Sequence, residues 1–250
     1  MPARLSILPS AFFIFIYRAK HQETILTLLP ILLFMIVLNL KTYEQSIQNP
    51  LLFADIASEV VEKTGLRIIV CPPAPYLRET AERFSQVFAQ HVDSEKPGAF
   101  TGSLPVEMLK AAKVKGSLVN HSEKRVGIEK VKETVERLHA NGLESLVCAA
   151  TTNEAVSIAA FTPTFIAVEP PELIGSGVSV SKAKPEIVIS SVKAVKEINH
   201  KITILCGAGV SNKEDVKKAL ELGAEGVLLA SAFVKAQDPK AFLSELASVF

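Results

Sequence analysis

The sequence contains few cysteines, and none of them is arranged as a metal ligand. Cys71, Cys148 and Cys206 are far apart, each lies at the end of an apolar run, and no CxxC or Cys/His spacing is present. Zinc sites use closely spaced ligands of this kind, so the sequence argues against a metal site. The pattern is typical of buried, reduced thiols, and we therefore expect a cytoplasmic protein.

An excess of charge of either sign is also missing. The 250 residues include 27 Lys and Arg and 26 Asp and Glu, for a net charge of +1. A nucleic-acid-binding domain usually carries a basic face, so no nucleic-acid partner is expected, whereas a local cationic pocket for a small anion is compatible with this balance. Hydrophobic residues make up 48% of the chain and charged residues 21%, which excludes a disordered chain and allows a sizeable core.

No apolar run has the length of an uninterrupted membrane span. The runs AFFIFIY (11–17) and ILTLLPILLFMIVL (25–38) fall short of the about 20 apolar residues that a bilayer requires, and the second contains proline. The first run faintly resembles the core of a signal peptide. We expect residues 1–34 to be an appendage, produced by an upstream start, and residues 35–250 to form the functional domain, with no membrane partner.

Beyond residue 34, short apolar runs alternate with longer amphipathic stretches. Most runs are rich in Val, Ile and Leu without polar alternation, which is typical of parallel strands covered on both faces. The predicted strands are 35–40, 66–73, 85–92, 116–122, 144–150, 164–171, 202–209 and 225–231. Strand–helix units with short connections predict one α/β domain, a (β/α)8 TIM barrel, although a doubly wound open sheet would give a similar alternation.

The amphipathic stretches carry the signals that begin and end helices. Helices predicted at 51–65 and 130–142 both end in glycine. A third, at 211–223, ends at Gly223 and has Ser211 as its predicted N-cap.

Polar residues concentrate where the runs stop, which would be the active face of a barrel. Asn39 and Lys41 project to the same side of the first strand, and a lysine there can bind an anionic substrate as a point charge. His121 follows the fourth run, where helix amide groups would disfavour its protonated form and leave a neutral hydrogen-bond donor. Ordinary alternatives are a surface lysine and a structural histidine. Glu123 could serve the site, or pair with Lys124, Arg125 or Lys41 in a structural network.

A carboxylate ends the sixth run and is followed by a sequence typical of a hinged lid. After Glu169 come two prolines, the apolar pair Leu173 and Ile174, and a glycine-containing stretch that begins at Gly175. Closure of such a lid would exclude water and raise the basicity of Glu169, while glycine amides could contact a phosphate. A plain Pro-Gly loop with an exposed glutamate is the alternative.

Small residues follow the seventh and eighth runs. Gly207-Ala208-Gly209 and Ala230-Ser231 would let backbone N–H groups approach a phosphate closely, and a helix after Ala230 would present its N-terminus to the anion. The loops after strands seven and eight are where barrels commonly bind phosphate.

The combination resembles the triose-phosphate isomerase family, most closely its compact archaeal-type branch. The similar motifs, in the family's order, are NLKTY (39–43), AQHVD (89–93), NHSEKR (120–125), VEPPELIGSG (168–177), CGAG (206–209) and EGVLLAS (225–231). The resemblance runs from about Met35 to the C-terminus and does not cover residues 1–34. It implies a cofactor-independent isomerase of glycolysis and gluconeogenesis that interconverts dihydroxyacetone phosphate and D-glyceraldehyde 3-phosphate through an enediolate.

The resemblance also implies the residue roles. Glu169 would be the base that moves the proton between C1 and C2, and His121 would polarise the carbonyl and shuttle protons between the oxygens. Lys41 would stabilise the enediolate and the phosphate, and Asn39 would orient the carbonyl. This family is itself the standard example of a carboxylate base beside a neutral histidine. The mechanism is therefore implied by the resemblance and is not an independent inference from the residues. The backbone amides expected at the phosphate are those of Ile174 or Gly175, Gly209, Ala230 and Ser231.

Two positions depart from the pattern of the family. Leu40 stands where phenylalanine is usual, and Phe100 stands where the archaeal branch has a histidine. The segment 98–102 instead resembles the subunit-crossing loop of ordinary isomerases. The resemblance implies a homo-oligomer, at least a homodimer and in the compact branch a homotetramer, with Thr101 reaching a neighbour's site.

Two other interpretations stay open at this point. Another phosphate-binding barrel enzyme, such as a pentose-phosphate epimerase or an indole-pathway isomerase, would share the phosphate features but would not require the four polar groups together with the lid. A non-catalytic binding protein, tethered to a membrane by residues 11–38, would have no chemical need for Glu169.

Overall fold

Parallel strands form the centre of the structure, a computed structural model that describes residues 34–173, 179 and 186–250. The strands are β1 (Met35–Asn39), β2 (Arg67–Cys71), β3 (Phe88–Ala89), β4 (Gly116–Val119), β5 (Glu144–Ala149), β6 (Phe165–Val168), β7 (Thr203–Cys206) and β8 (Gly226–Leu229). Each strand lies inside one of the eight predicted runs, so the prediction of eight strands is confirmed.

The sheet returns on itself and forms a nearly closed barrel. The strands pair in the order β2, β1, β8, β7, β6, β5, β4 and β3, and the two ends of this series meet at a parallel bridge between Val70 and Val87. The amide of Val70 donates to the carbonyl oxygen of Gln86 at 3.0 Å across the same seam. The predicted TIM barrel is therefore confirmed, and the doubly wound open sheet is excluded because its edge strands would not meet.

Helices connect the strands and cover the outside of the barrel. They are α1 (Glu44–Gln48), α2 (Pro50–Thr64), α3 (Leu77–Arg83), α4 (Val106–Ala111), α5 (Ile128–Ala140), α6 (Thr152–Ala159), α7 (Glu186–Ile198), α8 (Lys213–Glu221), α9 (Ser231–Val234) and α10 (Pro239–Ala247), with 3-10 turns at Ala74–Tyr76 and Pro171–Leu173. The three helices predicted from the sequence correspond to α2, α5 and α8. None of the helices in the described residues is long and apolar enough to cross a membrane.

The predicted N-cap of α8 was wrong by one residue. Asn212, not Ser211, caps the helix, because its side-chain oxygen accepts a hydrogen bond from the amide of Asp215 at 2.9 Å. That bond joins the cap to the third helical residue, which is the spacing a side-chain cap requires. Ser211 instead donates its own backbone N–H to the carboxylate of Asp215 at 2.9 Å.

The strands are buried on both faces, which explains why the apolar runs lack polar alternation. Met35 and Val37 face the barrel interior, whereas Ile36 and Leu38 pack against the surrounding helices. Asn39 continues the inward series at the carboxyl end of β1, where the apolar filling of the barrel gives way to polar groups. The alternation therefore places the Asn39 side chain towards the open end of the barrel.

The three cysteines are buried and unpaired, as the sequence predicted. Cys71 and Cys148 belong to the apolar cluster inside the barrel, and Cys206 packs in the layer between sheet and helices. Burial disfavours the charged thiolate and raises the pKa of Cys206 to about 12. All three side chains therefore act as apolar core groups.

Candidate active site

A cavity of about 300 Å³ opens at the carboxyl ends of the strands. It brings together residues from distant parts of the chain that the sequence had singled out, namely Lys41, His121, Glu169, Gly209, Ala230 and Ser231. Asn39 lies next to two of these residues: its Oδ1 accepts the Lys41 amide, and its Nδ2 lies 3.4 Å from Nε2 of His121. Ile174 and Gly175 lie outside the described residues.

Glu169 follows β6 and is only 2% exposed. Its backbone N–H donates to the carbonyl oxygen of Ala149 at 2.7 Å, which continues the ladder between β5 and β6 by one residue. The carboxylate oxygen Oε2 accepts a hydrogen bond from the amide of Ser122 at 3.2 Å. The other oxygen, Oε1, lies 3.3 Å from Nε2 of His121. One oxygen is therefore anchored to the backbone, and the other faces the imidazole.

Desolvation raises the pKa of the Glu169 carboxyl above its ordinary value. His121, the amide of Ser122, the Cys148 thiol and Lys41 act in the opposite direction, but they do not cancel the effect of burial. A carboxylate with a raised pKa accepts a proton more readily than an exposed one does. The structure gives Glu169 this property through burial between the strands.

Hydrogen bonding orients the imidazole of His121. Its Nδ1 accepts a hydrogen bond from the amide of Glu123 at 3.2 Å, and its Nε2 faces Glu169. The tautomer with its proton on Nε2 matches these contacts. The prediction that helix amides would lie beside the imidazole was wrong. His121 begins a turn closed by the amide of Lys124 at 2.7 Å, and α5 starts only at Ile128. The amide of Glu123, within this turn, is the one that contacts the imidazole.

Lys41 is held in place from several directions. Its backbone has a φ of 47°, a left-handed conformation that is uncommon for a residue with a side chain. The amide donates to Oδ1 of Asn39 at 3.0 Å, and the carbonyl accepts from the Gln90 side chain at 3.0 Å. Its ammonium group contacts Oε1 of Glu123 at 2.6 Å. Of the two roles left open for Glu123, the structure shows the ion pair with Lys41.

Asn39 presents a second donor next to the imidazole. Because its Oδ1 accepts from the Lys41 amide, its side-chain NH2 group points towards His121, with Nδ2 3.4 Å from Nε2. Two N–H groups therefore converge on one region of the site. An oxygen atom placed between them could accept from both.

Small residues form the opposite wall of the cavity. Gly209 has a φ of 73°, and Ala230 and Ser231 line the cavity where α9 begins. At Gly207 a Cβ atom would lie 2.7 Å from Cγ of Glu169, so glycine is required there by the position of that side chain. Leu173, the first apolar residue of the predicted lid, is buried and also lines the cavity.

Sequence reasoning missed the groups that position Glu169. Ser122 supplies the backbone N–H, and its buried hydroxyl has no hydrogen-bond partner among the described residues. The buried Cys148 thiol acts from inside the barrel to lower the pKa of that carboxylate. Ser122 follows His121 directly and could have been noticed for that reason, whereas a buried cysteine gives no such signal. No group of three or more potential metal-binding side chains occurs in the described ranges.

Comparisons with known proteins agree with this geometry. A family model described as triosephosphate isomerase matches residues 34–248. The triosephosphate isomerase of Methanothermus fervidus is 50% identical over 213 residues, which cover 84% of this chain and 96% of that protein. That of Methanocaldococcus jannaschii is 48% identical over 214 residues, with 85% and 98% covered. That of Caldivirga maquilingensis is 42% identical over 214 residues, with 85% and 95% covered.

These matches agree with the resemblance to the archaeal-type branch, and they do not favour another phosphate-binding barrel enzyme. The family match covers more than half of the chain and all of the cavity described above. This chain belongs to the triosephosphate isomerase family.

Proposed function

We propose that the protein interconverts dihydroxyacetone phosphate and D-glyceraldehyde 3-phosphate by proton transfer through an enediolate. The observation that carries the proposal is the 3.3 Å approach of Glu169 Oε1 to His121 Nε2 in a cavity that Lys41 also lines. A base, a neutral hydrogen-bond donor and a cation are the three groups that this chemistry needs around one substrate. The relatives described above all carry the name of this isomerase.

Glu169 is the proposed base. Abstraction of a proton next to a carbonyl requires a group that both takes and returns the proton, and a raised carboxyl pKa favours the uptake step. With Oε2 bonded to the Ser122 amide, Oε1 is the oxygen that we assign to proton transfer between C1 and C2. The buried position also separates the base from bulk water, which would otherwise compete for the proton.

His121 and Asn39 are the proposed partners of the substrate oxygens. Removal of the proton leaves negative charge on oxygen, and Nε2–H of His121 and the NH2 group of Asn39 converge at one region of the site. Because the imidazole is neutral, Nε2 could donate a proton to one oxygen and accept one from the other. Lys41 adds a positive charge at the same end of the cavity, which stabilises both the enediolate and the phosphate.

The wall formed by the loops after β7 and β8 is the proposed phosphate site. Gly209, Ala230 and Ser231 line it, and their small side chains leave the backbone N–H groups accessible to an anion. Ile174 or Gly175 is proposed as a further amide donor on the strength of the resemblance alone. Retention of the phosphate would also prevent its loss from the enediolate, a reaction that open solvent favours.

A coupled assay that starts from glyceraldehyde 3-phosphate tests the proposal. Glu169→Gln removes the base but keeps its size and should lower kcat by at least about 10²-fold. Glu172→Gln is the matched control, because this exposed carboxylate lies nearby but does not line the cavity, and it should keep normal activity. An unchanged rate in Glu169→Gln would refute the assigned mechanism, and no turnover in the unmodified protein would refute the function.

We also propose that the protein is a homo-oligomer, at least a homodimer and, by resemblance to the archaeal branch, a homotetramer. Phe100 and Met108 support this, since they are 51% and 55% exposed and lie on one surface pocket together with Pro97 and Pro105. Apolar side chains grouped in this way commonly mark protein–protein interfaces. Sedimentation of Phe100→Asp beside the unmodified chain tests the assignment, and a monomeric unmodified chain would overturn it.

The proposed contribution of Thr101 to a neighbour's site follows from the same loop. Thr101 lines a second cavity together with His91 and Lys124 on the rim of the barrel. If the loop reaches a partner subunit, Thr101→Ala should reduce kcat without dissociating the oligomer. An unchanged kcat would mean that this loop contributes to subunit contact but not to the neighbour's active site.

The proposed catalytic domain comprises residues 35–250. The family match over residues 34–248 supports these bounds, as does the packing of Phe34 against Phe250, whose ring centroids lie 5.6 Å apart. A chain that starts at residue 34 should keep the activity and the melting temperature of the full chain. The buried free thiols support the proposed location in the reducing cytoplasm.

A further inference from the structure

A buried carboxylate lies behind the phosphate wall of the cavity and has no place in the mechanism above. Asp215, in the first turn of α8, is fully buried. Its Oδ2 accepts the backbone N–H of Ser211 at 2.9 Å, and its Oδ1 accepts the hydroxyl of Ser179. A carboxylate loses its hydration on burial and is retained only where hydrogen bonds compensate, and here both oxygens have a donor.

Capping of α8 does not account for these bonds. The start of the helix is already capped by Asn212, whose side chain accepts the Asp215 amide. A glutamate or aspartate that completes a capping box returns to the N–H of the cap residue itself, whereas Asp215 bonds to the residue before it. The bond to Ser179 joins positions 36 apart in the chain and has no part in the helix end.

The two donors come from segments that are far apart in the sequence. Ser211 lines the cavity and follows Gly209 and Val210, which line it as well. Ser179 lies between the predicted lid and α7 in the sequence. One carboxylate therefore joins the loop after β7 to Ser179.

We propose that Asp215 is a positioning residue for the substrate's phosphate, an inference that rests on the proposed function. By holding the Ser211 amide, it orients the backbone from Gly209 to Ser211, and by holding Ser179 it fixes that loop against the chain after the lid. Asp215 does not line the cavity and does not touch the substrate. Its effect on binding passes through the backbone of Ser211.

An electrostatic role and a positioning role of Asp215 predict opposite effects on phosphate binding. A negative charge behind an anion site repels the anion, so a purely electrostatic role predicts that Asp215→Ala binds phosphate more tightly. A positioning role predicts weaker binding, because alanine has no acceptor for the Ser211 N–H or for the Ser179 hydroxyl, whereas asparagine could keep both bonds by donating its NH2 group to that hydroxyl. The direction of the change therefore separates the two explanations.

The test uses Asp215→Ala, Ser179→Ala and the control Asn212→Ala in the full chain. For the first two, we expect the dissociation constant of inorganic phosphate, measured by titration calorimetry, and KM for glyceraldehyde 3-phosphate to rise about tenfold, as for loss of one hydrogen bond to a charged group. The change in kcat should be smaller, since Glu169 and His121 are untouched. Asn212→Ala should lower Tm through loss of the cap and leave both constants unchanged.

The double variant Asp215→Ala/Ser179→Ala should bind phosphate no more weakly than Asp215→Ala, because Asp215→Ala already removes the bond to Ser179. Unchanged or tighter phosphate binding in Asp215→Ala overturns the inference. If that variant does not fold, unchanged constants in Ser179→Ala overturn it instead. Phosphate binding is measured without turnover. If the unmodified protein shows no isomerase activity, the proposed function is refuted, whereas the role of Asp215 in phosphate binding is still decided by the binding data.

Discussion

Substitution of Gly207 by alanine tests whether the packing around Glu169 determines the rate. The backbone of Gly207 is not in the left-handed region, so alanine is compatible with it and the effect comes from the new methyl group alone. That Cβ would lie 2.7 Å from Cγ of Glu169 and 3.1 Å from the carbonyl oxygen of Val168. Carbon atoms in contact normally lie about 3.5–4.0 Å apart, so the Glu169 side chain must move by about 1 Å.

A shift of that size acts on both oxygens of the carboxylate. It would disturb the 3.2 Å hydrogen bond from the Ser122 amide and the 3.3 Å approach to His121. Misplacement of a catalytic group by about 1 Å costs about 10²-fold in rate, and overpacking costs about 1–3 kcal/mol of stability. We expect Gly207→Ala to lower kcat about 100-fold in the coupled assay.

Gly142→Ala is the matched control for this prediction. Gly142 has a φ of 72°, and no atom beyond its chain neighbours lies within 4 Å of the position that an added methyl group would take. Alanine there therefore strains the backbone without approaching the site. It should lower Tm and leave kcat unchanged. A Gly207→Ala enzyme with normal kcat would refute the argument that contact with this glycine positions the base.

Four further predictions follow from the charges. Desolvation raises the pKa of Glu169, so kcat/KM should fall as the pH decreases through a value above the ordinary glutamate range. A raised folded-state pKa destabilises the fold while the group is ionised, so Glu169→Gln should melt above the unmodified protein at pH 8. This difference in Tm should disappear at an acidic pH where glutamate is protonated in the unfolded chain, and equal Tm values at pH 8 and at the acidic pH would contradict it. Lys41→Met should lower kcat/KM by about 10²–10³-fold through loss of a preorganised positive donor, and a loss below tenfold in steady-state kinetics would argue against that role. Desolvation also raises the pKa of Glu154, but hydrogen bonds from Arg125 and the amide of Ala150 outweigh it and leave that pKa below its ordinary value. This contribution to stability is present above the unfolded pKa and lost as the pH falls through the folded one. Because solvent screens the partly exposed pair with Arg125, Glu154→Gln should lower the free energy of unfolding by up to about 1 kcal/mol at pH 7 and by less in acid, as denaturant titrations would show.

The sequence was sufficient to predict eight parallel strands because burial on both sheet faces leaves a clear signal, but this signal is shared by a doubly wound open sheet, and closure is seen only in the structure. The predicted runs contained all eight strands, but the predicted strands were longer than the observed ones. At β3, for example, a strand was predicted over 85–92, and only Phe88–Ala89 forms one. Apolar residues continue past the paired segments because the loops at both ends are buried too, for example at Val87 and Val92. Burial alone does not show where ladder pairing stops.

Sequence patterns also indicated which residues meet at the cavity, since polar groups at strand ends converge in any parallel barrel. They could not show what holds each group in place. The bond from the Ser122 amide to Glu169 spans 47 positions, and the contact with Gly207 appears only once β6 and β7 are paired. The environment of His121 was misjudged because the start of α5 is delayed until after Gly127, whose φ is 78°.

The cavity divides its two proposed tasks between separate parts of the barrel. The groups assigned to bond making and breaking follow β1, β4 and β6, whereas the wall assigned to the phosphate belongs to the loops after β7 and β8. Apart from Lys41, which is assigned to both tasks, the groups for reactivity and for phosphate recognition can therefore be altered separately in this scaffold. Redesign of the loops that contain Gly209 and Ala230 could adapt the enzyme to a sugar with a different anionic group while the proton-transfer machinery stays as it is.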